Sequence, residues 1–265
     1  MRVAVNPTAI VVSMADDGEV PDPIFADPRL ASIYDTVEGD RRDLDAYEAI
    51  VDELRATSVL DIGCGTGTLA CRLAVKGKRV IGLDPAGASL DVARRKVGAE
   101  KVRWIHGDAT NLPQVEVDLA VMTGNVAMVF LDDDEWSMVL TSIHRVLGGN
   151  RWLVFETRVP SRRAWEDWTR RETFHTVEMP VAGRVSIWVD LLEVDLPYVS
   201  FRQSFRFHRD DCVITSDSTL RVRTLDEIEH ALEVVGFRLR EVRDAPDRPG
   251  LEHVCFAQRD ARSDG

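Results

Sequence analysis

From Val59 to Ala70 the chain reads Val-Leu-Asp-Ile-Gly-Cys-Gly-Thr-Gly-Thr-Leu-Ala, and this stretch leaves few folds open. A hydrophobic strand runs into Asp61, then Gly63, Gly65 and Gly67 alternate with small residues, and an apolar helix begins at once. Glycine is needed where the backbone turns sharply and must approach a ligand without a Cβ between them. The helix behind such a loop offers its first amides, and their partial positive charge, to that ligand. Val80-Ile81-Gly82-Leu83-Asp84 is a second strand ending in a carboxylate. It lies about twenty residues on, the spacing at which an acid accepts hydrogen bonds from ribose hydroxyls.

Glycine spacing alone leaves nicotinamide, flavin and S-adenosylmethionine open, since Gly65-x-Gly67-x-x-Ala70 also satisfies the dinucleotide fingerprint in its alanine-terminated form. Context separates them. The Leu60-Asp61-Ile62-Gly63-Cys64-Gly65-Thr66-Gly67 string resembles motif I of the class I S-adenosylmethionine-dependent methyltransferases. Ile105-His106-Gly107-Asp108-Ala109 resembles the family segment whose Asp reaches the adenine amine, and Val117 to Asn125 resembles the fourth strand, whose end faces the methyl group. The resemblance implies a Rossmann-like, mostly parallel sheet flanked by helices. It implies S-adenosylmethionine as cofactor, with S-adenosylhomocysteine as product. It covers residues 57–158 in motifs, and most of the chain after residue 25 in architecture.

The pattern along the chain supports the same class. Strands are expected near 57–62, 79–84, 102–106, 117–122 and 151–156, with helices near 68–76, 86–97 and 133–147 between them. Repeated strand-helix-strand units with short loops require a parallel sheet with helices on both faces. After Arg158 the period becomes two: 173–178, 185–194, 199–208 and 212–223 read as an antiparallel meander with one apolar and one polar face. Thr224 and Glu227 form a capping box for a helix stopped by Gly236, and strands 237–242 and 251–257 close the chain. Six segments are therefore expected. Residues 1–24 form an irregular N-terminal extension with an Asp16-Asp17-Gly18 turn, and 25–56 a helical segment over the cofactor site with a helix capped by Asp40. Residues 57–158 form the cofactor-binding core, 159–223 the inserted sheet as a substrate cap, 224–259 the closing helix and strands, and 260–265 a tail.

Charge narrows the partners. Thirty-three basic and 45 acidic side chains give a net charge of −12, which argues against a nucleic-acid partner. No run approaches the ~18 apolar residues of a membrane span, and no secretory leader is evident in the first residues, so a cytoplasmic protein is expected. Cys64, Cys71, Cys212 and Cys255 show no metal spacing and read as inert thiols. Asp132 to Glu135 oppose a helix dipole as a capping pair, so no metal is expected there.

The resemblance assigns Asp61, Gly63, Cys64, Gly65 and Gly67 to the methionine end of the cofactor, Asp84 and Pro85 to the ribose, and Asp108 and Ala109 to the adenine. Asp84 and Asp108 also have plain structural readings, as a strand-end cap and a turn former. Tyr34 resembles the tyrosine that closes over the cofactor, and as a lone aromatic it fits a core equally well. Arg42 has a fork that suits a carboxylate, though its place in a first helical turn favours a solvated side chain. Thr123 and Asn125 lie where the fourth strand opens on the transfer site. Thr-Gly-Asn-Val stands there in place of the Asn/Asp-Pro-Pro-aromatic tetrad of enzymes that methylate nucleic-acid bases.

Asn125, Arg158, Trp168, Trp188 and Arg202 are the substrate-side candidates, provided that the meander roofs the site. His106, His175 and His208 are the histidines with strand context, and none carries a motif that makes it a general base. The expected activity is methyl transfer to O or N of a small molecule. A non-methylating reaction on the same cofactor (cyclisation or decarboxylation) and a non-catalytic scaffold remain open, as do the acceptor and the oligomeric state, for which a homodimer is allowed.

Overall fold

The central strands of this chain are buried along most of their length because both faces of their sheet are covered. The computed structural model describes residues 21–260. Three helices come first, α1 (Pro23–Ala26), α2 (Pro28–Glu38) and α3 (Asp43–Glu53). The core alternates β1 (Ser58–Ile62), α4 (Thr68–Val75), β2 (Arg79–Asp84), α5 (Gly87–Ala93), β3 (Val102–His106), β4 (Val117–Met122), α6 (Asp133–Val146) and β5 (Leu147–Arg158). A short α7 (Arg170–Thr173) leads to β6 (His175–Met179), β7 (Gly183–Asp195), β8 (Tyr198–Phe207) and β9 (Cys212–Arg221). The chain then returns through α8 (Leu225–Val234), β10 (Phe237–Asp244) and β11 (Glu252–Arg259).

Seven strands form one sheet in the order β10-β11-β5-β4-β1-β2-β3. The five from β3 to β5 are parallel, and β11 and β10 are antiparallel. Alternation along β4 divides the core: Ala120 and Met122 join Trp136 and Leu140 of α6 and Leu232 of α8, while Leu119 and Val121 join Val51 of α3 and Leu73 of α4. The other four strands form a separate antiparallel sheet, β6-β7-β8-β9. Val185, Ile187, Phe205 and Phe207 on its apolar face pack on Ile24, Leu30 and Ile33 of α1 and α2. Val199, with Leu191 and Leu220, packs on Met128 and Trp165. The inserted sheet thus stands against both the N-terminal helices and the loop after β4.

Several local expectations need correction. The Asp16-Asp17-Gly18 turn lies outside the described residues, and the irregular extension read through residue 24 runs into α1, which starts at Pro23. Asp40 does not cap α3; that N-cap is Arg42, and Asp40 pairs with the Arg42 side chain instead. Asp27 caps α2 by accepting from the amides of Arg29 and Leu30 at 2.7 and 3.1 Å, with Pro28 at the first helical position. Helix α5 ends at Ala93, not near 97, because Arg95 and Lys96 bond back three residues as the chain tightens towards Gly98. Strand β5 begins at Leu147, earlier than read, since a register shift between Val117 and Leu119 of β4 absorbs the Gly148-Gly149 segment. The capping box of α8 is present as expected.

Trp104 of β3 lies under the glycine-rich turn. A Cβ on Gly82 would come within 2.7 Å of its ring, and one on Gly67 within 2.4 Å. Gly82→Ala is expected to cost about 1–3 kcal/mol by overpacking, and that cost should fall towards zero on a Trp104→Ala background. Urea denaturation of the four proteins measures both, and equal costs on the two backgrounds would place the strain elsewhere.

Candidate active site

A cavity of about 670 Å³ opens at the carboxyl ends of β1, β2 and β4, where ligands of doubly wound sheets bind. Gly63, Gly65 and Gly67 turn the chain there with φ of 65°, 53° and 75°. Their reasons differ. A Cβ on Gly63 would meet Val126 at 2.6 Å, whereas one on Gly65 would meet nothing within 4 Å. Gly65 lines the cavity, so its bare backbone is a surface for a ligand. Gly67 enters α4 in a left-handed conformation with no side-chain cap, which leaves the first-turn amides of that helix without one. Asp84 fixes the turn from β2: one carboxylate oxygen accepts from Gly65 N at 2.7 Å and the other from Ala86 N at 2.8 Å. Burial pushes the Asp84 carboxyl up, and the two amides oppose that.

Asp61 also lines this cavity. It is 1% exposed, and neither carboxylate oxygen has a hydrogen-bond partner among the described residues. Burial, then the Asp84 charge, pushes its carboxyl up to about 7, while Arg41 pulls it back. An unpaired buried carboxylate is costly, so the position calls for a cationic donor. Arg41 lines the cavity too and holds Asp43 through Nε at 3.0 Å and Nη2 at 2.7 Å. Sequence reasoning singled out Arg42, which is 83% exposed. The helix begins two residues later than read, and that turns the neighbouring arginine inward.

Helix α2 closes the near side of the cavity. Asp35 accepts from Thr66 Oγ1 at 2.6 Å and pairs with Lys96 Nζ at 2.7 Å, and Lys96 in turn donates to Thr68 Oγ1 at 2.6 Å. This polar clamp ties α2 to the glycine turn. Beside it Tyr34 lines the cavity against Phe25, at 5.6 Å between ring centroids, and burial pushes its phenol up. Asp35 sits next to a residue that the sequence did flag, yet nothing in the pattern marks it as a clamp.

Cys64, Pro85, Asp108, Ala109 and Thr123 line the same cavity. Asp108 also starts a turn by accepting from Thr110 N at 2.5 Å, the structural reading of that residue. Asn125 turns away at φ 63° and donates to Glu252 Oε1 at 2.9 Å. Buried Glu156 of β5 holds the loop in place, accepting from Gly124 N at 2.5 Å, Asn125 N at 3.1 Å and Tyr47 OH at 2.6 Å.

The substrate-side candidates do not meet at the cavity; Asn125, Arg158 and Trp168 gather around Glu252 instead. Arg158 faces Glu252 at 3.5 Å and lies 5.0 Å over the Trp168 ring, which packs on Phe201. Trp188 donates to Asp190 at 2.9 Å under Arg170, and Arg202 forms a two-point pair with Asp217 at 2.6 Å. None of these, nor Asn125, lines the cavity. The inserted sheet contributes Leu192, Ser200, Asp217, Ser218 and Thr219 instead, near its β9 edge. Such small polar residues look like ordinary strand positions in the sequence, and Leu192 lies at a register shift in β7. No histidine lines the cavity among the described residues.

A five-stranded parallel array with an antiparallel β10–β11 pair at one edge, and a glycine-cradled cavity over its carboxyl ends, defines the class I methyltransferase fold. Residues 59–150 match the family described as "Methyltransferase domain". The biotin biosynthesis bifunctional protein BioHC of Cellvibrio japonicus is 31% identical over 149 residues, covering 52% of this chain and 28% of its own. This chain therefore spans little more than a quarter of that relative. The sugar N-methyltransferase KedS8 from Streptoalloteichus superposes with a TM-score of 0.71 at 16% identity, over 98% of this chain and 100% of its own. The amino pentose methyltransferase CalS10 from Micromonospora echinaspora, with S-adenosylmethionine bound, gives 0.65 at 19% identity over 86% and 96%. Residues 59–150 thus match a methyltransferase domain, and the fold is that of the S-adenosylmethionine-dependent methyltransferases on which the chain superposes. Among the described residues no helix is long and apolar enough to cross a membrane.

The Asp61 carboxyl links this site to stability. Its value in the folded protein, about 7, lies above the unfolded one, which is about 3.9. Its favourable contribution is therefore complete below the unfolded value and lost as pH rises to 7 and beyond. Between pH 4 and 7 the ligand-free protein should lose stability relative to an Asp61→Asn variant. Chemical denaturation at a series of pH values measures this, and parallel pH profiles would remove Asp61 as the cause.

Proposed function

We propose that the protein transfers the methyl group of S-adenosylmethionine to an oxygen or nitrogen of a small molecule. The observation that carries this reading is Asp61, a buried carboxylate without a partner, set in a cavity beside an open glycine cradle. The residues fit the cofactor. Asp61 would accept from its ammonium, and Arg41, whose fork Asp43 orients, would face its carboxylate. Asp84 has lone pairs left beyond the two amides and would take the ribose hydroxyls, and Asp108 the adenine amine. Bound there, S-adenosylmethionine supplies an electrophilic methyl that an acceptor lone pair takes by in-line displacement, the carbon–sulfur pair staying on sulfur as S-adenosylhomocysteine.

The chain's own task is geometry. Glu156 sets the loop after β4 through two amides, Tyr34 and Phe25 exclude water from the near side, and the inserted sheet closes the far side. Holding an acceptor in line within such a dry site is the main source of rate for a reaction whose electrophile is already activated. KedS8 and CalS10, whose substrates are small, support a small-molecule acceptor.

Calorimetric titration with S-adenosylmethionine, S-adenosylhomocysteine and NAD tests the reading. The first two should bind and NAD should not. Asp84→Ala should weaken both by about tenfold or more, since a charge-assisted hydrogen bond is lost. Binding of NAD alone would overturn the assignment.

A further inference from the structure

The wall of the cavity built by α1, α6 and β9 is acidic. Asp22, Glu135 and Asp217 line it beside Phe25, Phe130 and Leu192. Arg41 is the one cation among the described lining residues, and Asp43 already holds it. The cavity itself stands on separate grounds, since the buried and unpartnered Asp61 lines it as well.

Asp22 is the informative member. It occupies the N-cap position of α1, where an Asp ordinarily accepts from the first amides of its helix, yet its side chain makes no cap bond. It accepts from Ser218 Oγ at 2.5 Å instead, which leaves its second oxygen without a donor among the described residues. No cation meets its charge among the described residues. Asp217 differs, because Arg202 meets it with two bonds. Burial, followed by the Asp217 charge, pushes the Asp22 carboxyl up, as an unpaired anion requires.

We propose that this wall selects an amine, bound as its ammonium against Asp22 with Asp217 nearby. The inference rests on the methyl-transfer reading above and narrows its acceptor to nitrogen. A phosphate or carboxylate on the acceptor would meet the like charge of Asp22. A neutral alcohol would bring no positive charge to Asp22. An amine does, and its ammonium gives one proton to a lining carboxylate or to water, which frees the lone pair for the new bond to carbon. Phe25, Phe130 and Leu192 suit the apolar body of such a molecule.

The test uses the full chain saturated with S-adenosylhomocysteine, titrated with matched probes: D-glucosamine against D-glucose, tyramine against 4-ethylphenol, and 4-hydroxyphenylacetate as an anion. Each amine should bind about tenfold or more tightly than its neutral partner, and the anion should not bind. Asp22→Asn should remove most of that preference while leaving S-adenosylhomocysteine affinity unchanged. Because this carboxylate caps no helix, the variant is expected to fold, and Asp217→Asn serves as a second probe of the same wall. Equal binding of amine and neutral partner, absence of binding by either amine, or a preference that survives both variants would overturn the amine seat alone. Failure of S-adenosylhomocysteine itself to bind would instead overturn the methyl-transfer reading beneath it, and the amine seat with it.

Discussion

One carboxylate holds the glycine turn in its working shape. Asp84 reaches from the end of β2 to the amides of Gly65 and Ala86, tying together the turns that follow two neighbouring strands. Backbone in a left-handed conformation at three nearby glycines has few intrinsic preferences, so a fixed acceptor is what makes the turn a defined surface. The same side chain raises the Asp61 carboxyl. Structure and ligand chemistry therefore meet in one pair of acids: Asp84 shapes the cradle, and Asp61 beside it is left needing a cation.

Around that centre the enclosure is built from two sides. Helix α2 is latched to the turn through Asp35, Thr66, Thr68 and Lys96. Its opposite face carries the inserted sheet through Leu30 and Ile33. Arg221 and Arg223 then bind the sheet's far end to the loop after β4, through the carbonyls of Leu131 and Phe130. The insertion is thus fastened at both ends, and the residues it lends to the cavity sit between those fastenings.

Much of this was legible in the sequence because the relevant signals are local. Apolar runs ended by Asp61, Asp84 and Met122 mark buried parallel strands, and the strict alternation of Val185 to Leu191 marks a half-covered sheet. The positions read as cofactor-side, Asp61, Gly65, Asp84, Asp108 and Thr123, line one cavity because each follows directly from where its strand ends. What was not legible depends on rotation and on distant contacts. Arg41 and Arg42 exchange roles on a shift of helix start that no cap residue announced. Trp188 and Arg202 carry prominent side chains, but their strands direct them to Asp190 and Asp217 and away from the cavity. Asp22 falls in the stretch read as an irregular extension, and only its contact with Ser218, 196 positions along, gives it a place in the cavity wall.

The wall opposite the glycine cradle has a consequence for how such a chain can change over time. Its residues come mainly from two stretches, the α1 region and the β7–β9 sheet, with Glu135 and the loop after β4 completing it. The cradle and its acids come from the turns after β1, β2 and β3. Drift or exchange in the first set can reshape one end of the cavity while leaving the other end's fittings in place.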